Sequence, residues 1–171
     1  MKKIRILIPV YNDWQSVFKL LENINLEIST LEGDFSVTIV NDASTENKLE
    51  FPTDLKELKS IQIINMKKNQ GHARCNAVGL KYINEKEDFD YVIPMDADGE
   101  DRPQELSLLI EKIKEYPNTV VTANRVKRSE GYLFKFCYLV HKYLTLVFTG
   151  QSIKYGNYTC LPKLVVDEMV N

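Results

Sequence analysis

Residues 4–28 read Ile-Arg-Ile-Leu-Ile-Pro-Val, then Tyr-Asn-Asp, then Trp-Gln-Ser-Val-Phe-Lys-Leu-Leu-Glu-Asn-Ile-Asn-Leu-Glu-Ile, and this stretch decides the fold class. The first seven residues are an almost unbroken β-favouring apolar run, the pattern of a strand covered on both faces in a parallel sheet. Tyr11-Asn12-Asp13 is a polar turn. Beyond it Trp14, Val17, Phe18, Leu21, Ile24 and Ile28 recur at three- and four-residue spacing, which marks one buried face of a helix. A central strand followed by a helix is the first βα unit.

The same alternation runs on. Residues 35–40 read as a second strand, 41–47 as a polar loop, and a short weak helix contains Leu55 and Leu58. Residues 61–64 are a third strand, and a helix over 71–84 turns Ala73, Ala77, Leu80 and Ile83 inward. A fourth strand spans 89–95. Asp101 suits the cap of the next helix, because Pro103 fits a first turn and Leu106, Leu109, Ile110 and Ile113 continue at helical spacing. Residues 119–123 are a fifth strand. Strands and helices alternating at these lengths predict an α/β, Rossmann-like sandwich with a mainly parallel sheet and ligands at the carboxyl ends of its strands. The loops carrying Asn12, Asp42, Asp96 and Asp98 all emerge at that edge.

With 171 residues the chain suits a single domain. Its 22 basic and 24 acidic side chains nearly cancel to a net charge of -2, which argues against nucleic acid as a partner. Cys75, Cys137 and Cys160 form no C-x-x-C pair and fit a reducing cytoplasm. The apolar run after the charged start is short and broken by Pro9 and Asn12, so no secretion signal is expected, and no window of about 18 uncharged apolar residues suggests a bilayer span. The stretch 131–148 is heavily aromatic, with charges only at Lys135 and Lys142 and a titratable His141. It suits either a helix lying on a membrane surface or a core helix packed on the sheet.

The sharpest chemical signal is Asp96-Ala97-Asp98, directly after the strand Tyr91-Val92-Ile93-Pro94-Met95. In an extended stretch, residues two apart project to one side, so both carboxylates can converge on one ion. Oxygen-only ligands select a hard cation, Mg²⁺ or Mn²⁺, which completes its shell with water and substrate phosphates. The same acids could instead only end a strand and cap a helix. Asp42, in Val40-Asn41-Asp42-Ala43-Ser44-Thr45, could accept an N–H from a nucleobase or close an Asx turn. Residues 69–76, Asn-Gln-Gly-His-Ala-Arg-Cys-Asn, open a helix whose first N–H groups, helped by Arg74, form a natural anion site. His72 reads as a surface histidine, and neither histidine has neighbours at zinc-ligand spacing.

Together, Ile-Pro-Val-Tyr-Asn at 8–12, Val-Asn-Asp-Ala-Ser-Thr-Glu-Asn at 40–47, Asn-Gln-Gly-His-Ala-Arg-Cys-Asn at 69–76 and Asp-Ala-Asp at 96–98 resemble the family-two inverting glycosyltransferases of the GT-A fold. The likeness is strongest to the polyprenyl-phosphate sugar transferases and related bacterial membrane-associated enzymes, and extends from residue 4 to about 125. It implies a nucleotide-sugar-binding part over 1–125 and an acceptor-side, membrane-proximal part over 126–171. It implies further that Pro9, Tyr11 and Asp42 line the nucleoside pocket, that Arg74 sits near the base or diphosphate, and that Asp96 and Asp98 face the metal. Glu100 stands where relatives often carry glutamine and adds a third carboxylate to the metal site.

Three departures accompany the likeness: Asn41 replaces one of the usual paired aspartates, Gly99-Glu100-Asp101-Arg102-Pro103 replaces a more apolar continuation, and the match thins beyond Arg125. Arg125, Lys127 and Arg128 suit a basic acceptor-side loop, while Gly156-Asn157-Tyr158 is a turn with no assigned role. The chain ends at Asn171, where relatives often continue into membrane helices, so a C-terminal truncation is expected.

The implied activity is metal-dependent, inverting transfer of a sugar from a UDP- or GDP-linked donor to a polyprenyl phosphate or membrane-associated glycan, at the inner face of the cytoplasmic membrane. No catalytic base stands out, in keeping with a phosphate acceptor that is already ionised. Two other classes compete. A sugar nucleotidyltransferase would need a glycine-rich loop after the first strand, and Pro9-Val10-Tyr11-Asn12-Asp13 has no glycine. A non-catalytic nucleotide-sugar-binding module would bind donor without transfer.

Overall fold

Strand β1 (Lys3–Val10) lies inside a six-stranded sheet, as its apolar run requires; Ile4, Ile6, Leu7 and Ile8 are completely buried. It pairs in parallel with β2 (Asp34–Asn41) on one side and β4 (Tyr91–Pro94) on the other, setting Ile6 opposite Val37 and Ile93. Strand β3 (Ser60–Asn65) extends the parallel sheet beyond β2. The computed structural model describes residues 1–46, 50–123 and 158–171.

The pleat sends alternate β1 side chains to opposite faces. Ile4, Ile6, Ile8 and Val10 join a core with helices α1 (Trp14–Ile28) and α3 (Leu106–Glu115). Leu7, with Val40 and Val92, faces α2 (His72–Lys86) and α4 (Lys163–Val170). Helix α2 lies close to the sheet because Gly79 has no side chain; a Cβ there would collide with Leu7.

Three expectations need correction. The segment around Leu55 and Leu58 has no helix among its described residues. Pro52 lacks an N–H, and the Leu58 N–H reaches only the Leu55 carbonyl, at 3.3 Å, in a single turn. The apolar spacing there reflects packing on the core, where Phe51 packs against Phe18 with ring centroids 4.8 Å apart and ring planes tilted by 52°. The fifth strand, β5 (Val121–Thr122), is shorter than expected and antiparallel to β6 (Thr159–Pro162), which itself runs antiparallel to β4. Asp101 does not cap the following helix: the N-cap positions of the 3-10 turn (Pro103–Glu105) and of α3 are Arg102 and Glu105, without side-chain caps. The buried Asp101 carboxylate instead accepts the Asp96 N–H at 2.9 Å.

At the amino edge of the sheet the charged residues consume one another. The buried Arg5 guanidinium lies 3.0 Å from Glu87 and 3.5 Å from Asp34, and donates to the Asp88 carbonyl at 2.7 Å. Thr38 donates to Glu87 at 2.8 Å, and Lys59 reaches the second Asp34 oxygen at 2.6 Å. The Lys59 hydrogen bond, aided by the Arg5 charge, holds the Asp34 carboxyl below the usual carboxylate range although burial pushes the other way.

Candidate functional site

The carboxyl edge is assembled from three loops. The first follows β1, where Asn12 takes a left-handed backbone (φ 54°) and turns the chain into α1, capped by Asp13 accepting the Ser16 N–H at 3.3 Å. The second follows β2, where Ala43 also takes a left-handed backbone (φ 58°). The Asn12 carboxamide ties the two loops together: its oxygen accepts the N–H groups of Thr45 at 2.7 Å and Glu46 at 3.2 Å, and its nitrogen donates to the Thr45 hydroxyl at 3.1 Å.

The third loop follows β4 and carries Asp96 and Asp98. It closes on itself through the Asp96 N–H to Asp101 and the Glu100 N–H to Asp98 Oδ1 at 2.8 Å, with Gly99 at φ 83° supplying the turn. Tyr158 braces it from below, donating its hydroxyl to the Arg102 carbonyl at 3.2 Å. Burial pushes the Tyr158 phenol well above its ordinary value, so it remains a neutral donor.

Pro9, Tyr11, His72, Asp96 and Asp98 line one open cavity of about 200 Å³. Tyr11 is exposed, Asp96 half-buried and Asp98 exposed. His72 is exposed, as its reading as a surface histidine expects, and its Nε2 lies 3.5 Å from Asp96 Oδ1 and 2.8 Å from the Asn76 amide nitrogen. The signal that could have found this contact is the place of His72 at the head of α2, at the same sheet edge as the Asp-Ala-Asp loop. A second cleft, of about 600 Å³, opens on the far side of Asp98 and is bordered by Ser16, Lys19, Asn23, Arg102 and Glu105.

Two expected donor residues sit differently. Arg74 is exposed on the first turn of α2 and borders neither cavity. Asp42 is only 3% exposed, borders neither cavity, and accepts the backbone N–H groups of Gln70 at 2.8 Å and Gly71 at 2.7 Å. Among the described residues no three His, Cys, Asp or Glu side chains gather as a metal-ligand group, Asp96, Asp98 and Glu100 included. Two carboxylates nevertheless fit a hard cation that takes the rest of its shell from phosphate and water, since the turn uses only one Asp98 oxygen. Arg125, Lys127, Arg128, the stretch 131–148, Gly156 and Asn157 lie outside the described residues. No helix among the described residues is long and apolar enough to cross a membrane.

Comparison with known proteins places this geometry. The family model described as glycosyl transferase family 2 matches residues 5–159. The undecaprenyl-phosphate 4-deoxy-4-formamido-L-arabinose transferase of Klebsiella pneumoniae (strain 342) is 25% identical, with 100% of this chain matched to 52% of the relative. The Proteus mirabilis (strain HI4320) transferase of the same name is also 25% identical, over 94% of this chain and 48% of its own length. This chain thus spans about half the length of the curated relatives it matches.

Among solved structures, glucosyl-3-phosphoglycerate synthase from Mycobacterium tuberculosis, in complex with Mn²⁺, UDP and glucosyl-3-phosphoglycerate, superposes with a TM-score of 0.67. The identity is 11%, and the match covers 95% of this chain and 57% of that one. A mannosyltransferase from Pyrobaculum calidifontis, in complex with GDP-Man and Mn²⁺, gives a TM-score of 0.54 at 19% identity over 74% of this chain and 36% of that one. These likenesses establish the GT-A fold expected from the sequence.

Proposed function

This chain belongs to glycosyl transferase family 2, and from that premise we propose that it transfers a sugar from a UDP- or GDP-linked donor to a polyprenyl phosphate or membrane-associated glycan. The reading adds inversion at the anomeric carbon, Mg²⁺ or Mn²⁺ as cofactor, and a place at the cytoplasmic face of a membrane. The observation that carries it is the single cavity where Pro9 and Tyr11 from β1 and its loop, His72 from α2, and Asp96 and Asp98 after β4 converge. The named relatives act on undecaprenyl phosphate, which favours a lipid-phosphate acceptor.

The roles follow from position. Tyr11 offers an exposed aromatic face beside Pro9, suited to a nucleoside. The Arg74 charge and the positive end of the α2 dipole supply positive potential for a diphosphate. Asp96 and Asp98 hold the cation, with Glu100 in the same turn. When bound, a divalent cation supplies neutralisation of the charge that builds on the departing diphosphate. Asp101 and Tyr158 keep the carboxylate loop in one shape before the donor arrives.

Calorimetric titration with UDP and GDP, each with Mn²⁺ and with chelator, tests this reading, repeated on Asp98→Ala. Metal-dependent binding of one nucleotide is expected, lost by about a hundredfold or more in the variant, while the melting temperature holds because Asp98 is exposed. Folded protein that binds neither nucleotide, or an Asp98→Ala variant that binds as well as the parent, would overturn it. Donor binding without transfer to any lipid-phosphate or glycan acceptor would reduce the protein to a binding module.

A further inference from the structure

We propose that Asn12 is a positioning residue for the nucleoside: its carboxamide ties the loop after β1 to the loop after β2 and thereby fixes Tyr11 at the wall of the donor cavity. The inference rests on reading that cavity as a nucleotide-sugar site.

Tyr11 lines the cavity and is 49% exposed. Among the described residues it has no hydrogen-bond or ring partner, so its direction is set by the backbone that carries it. A ring that is in place before the ligand arrives loses less freedom on binding and contributes more affinity. The backbone turns at the very next residue, where Asn12 takes φ 54°.

Asparagine is one of the few side-chain-bearing residues that tolerate this left-handed region, because its short polar side chain can bond nearby. Here the bonding reaches the neighbouring loop. The Asn12 oxygen accepts the N–H groups of Thr45 at 2.7 Å and Glu46 at 3.2 Å, and its nitrogen donates to the Thr45 hydroxyl at 3.1 Å. The Asn12 N–H donates to Ser44 Oγ at 3.0 Å. One residue is thus joined to three consecutive residues of the second loop.

That second loop is itself anchored. The Ser44 N–H donates to the Asn41 carboxamide oxygen at 3.0 Å, and the Asn41 nitrogen donates to the Asn65 oxygen at 2.9 Å. Asn41 and Asn65 are register partners at the ends of β2 and β3. The bonds therefore run without a break from the turn beside Tyr11 to the third strand. Asp96 and Asp98 sit on a separate loop, closed by its own bonds. Loosening the Asn12 tie should cost affinity for the nucleoside part of a donor and leave the diphosphate part alone.

The test uses the full chain with Asn12→Gly, Asn12→Asp and Ser44→Ala. Glycine accepts the left-handed backbone without strain and removes only the side-chain bonds. Aspartate tolerates the same backbone and still offers an oxygen to the Thr45 and Glu46 N–H groups. Ser44→Ala removes the acceptor of the Asn12 N–H from the other side. Calorimetry gives affinities for UDP, GDP and inorganic pyrophosphate, each with Mn²⁺. The readout is the ratio of nucleotide to pyrophosphate affinity, in which an added charge or a general loss of stability cancels. The ratio is expected to fall about tenfold in Asn12→Gly and about threefold in Ser44→Ala, and to stay within about twofold of the parent in Asn12→Asp. Hydrogen exchange of the Thr45 and Glu46 amides should quicken in Asn12→Gly and not in Asn12→Asp.

An unchanged ratio in Asn12→Gly overturns the proposal, and so does an equal fall in Asn12→Asp while both amides stay protected. Should Asn12→Gly not fold, Ser44→Ala decides on the same ratio, and no fall there overturns it. A parent that binds pyrophosphate with Mn²⁺ but no nucleotide removes the nucleotide-sugar reading and this proposal with it. A parent that binds nucleotide, with variants that keep its ratio, removes the proposal alone.

Discussion

The two edges of the sheet draw on similar residues and use them in opposite ways. At the amino edge Arg5, Asp34, Glu87, Thr38 and Lys59 are arranged so that each charge meets an opposite charge or a hydrogen-bond partner, and the three at the centre have side chains under a tenth exposed. At the carboxyl edge Asp98 is exposed, Asp96 half-buried, and two residues other than glycine hold left-handed backbones. Buried charges are costly unless paired, so the first arrangement joins β1, β2 and the end of α2. The second leaves capacity for a ligand's charge, and the loops that present it are held by Asn12, Asp42 and Asp101 rather than by apolar packing.

The largest test of this contrast is Arg5→Leu. It leaves Asp34 and Glu87 without their buried counter-charge, and the expected loss is about 3–5 kcal/mol of unfolding free energy by urea titration. The folded fraction should bind nucleotide as the parent does, because Arg5 lies at the opposite ends of the strands from the cavity. Asp98→Ala should behave in reverse, losing binding while its stability stays within about 0.5 kcal/mol. If Arg5→Leu proved neutral, the amino edge would owe its stability to packing and the contrast would collapse.

A smaller effect is expected from Asn12→Ala, measured the same way. The variant loses the bonds to Thr45 and Glu46 and must hold φ 54° without the amide that makes that region tolerable. Thr45 and Glu46 are exposed, so water replaces the lost acceptor and the cost stays near 1 kcal/mol. A loss as large as that for Arg5→Leu would mean that the carboxyl edge also carries the global stability.

How much of this was legible in the sequence follows from the same contrast. Strands β1, β2 and β4 and helices α1, α2 and α3 could be read because apolar periodicity reports directly on which face is buried. The Leu55–Leu58 segment misled because a loop packed on Phe18 and Trp14 produces the same spacing as a helix. At the site, Asp96 and Asp98 were placed correctly at the carboxyl edge, since strand direction alone carries them there. The two backbone N–H groups held by Asp42 and the closure by Asp101 were not legible. Each depends on a contact whose partner is set by tertiary geometry, and a carboxylate bound to backbone N–H groups has the same one-letter code as one open to a ligand.

The finest test concerns backbone strain alone. Ala43 holds φ 58°, where Cβ crowds the following carbonyl at a cost of about 1–2 kcal/mol for an ordinary residue. Glycine removes that cost but gives up more chain entropy on folding, roughly 0.5–1 kcal/mol relative to alanine. The first term is the larger, so Ala43→Gly should stabilise the protein by about 0.5–1 kcal/mol, read as a higher urea midpoint at unchanged slope. Asn41 and Ser44 flank the position and bond to each other at 3.0 Å through the Asn41 carboxamide and the Ser44 N–H, so the turn keeps its shape when the methyl is removed. A lower midpoint would mean that the methyl contributes packing worth more than the strain, and the carboxyl edge would then differ from the amino edge in charge but not in backbone tension.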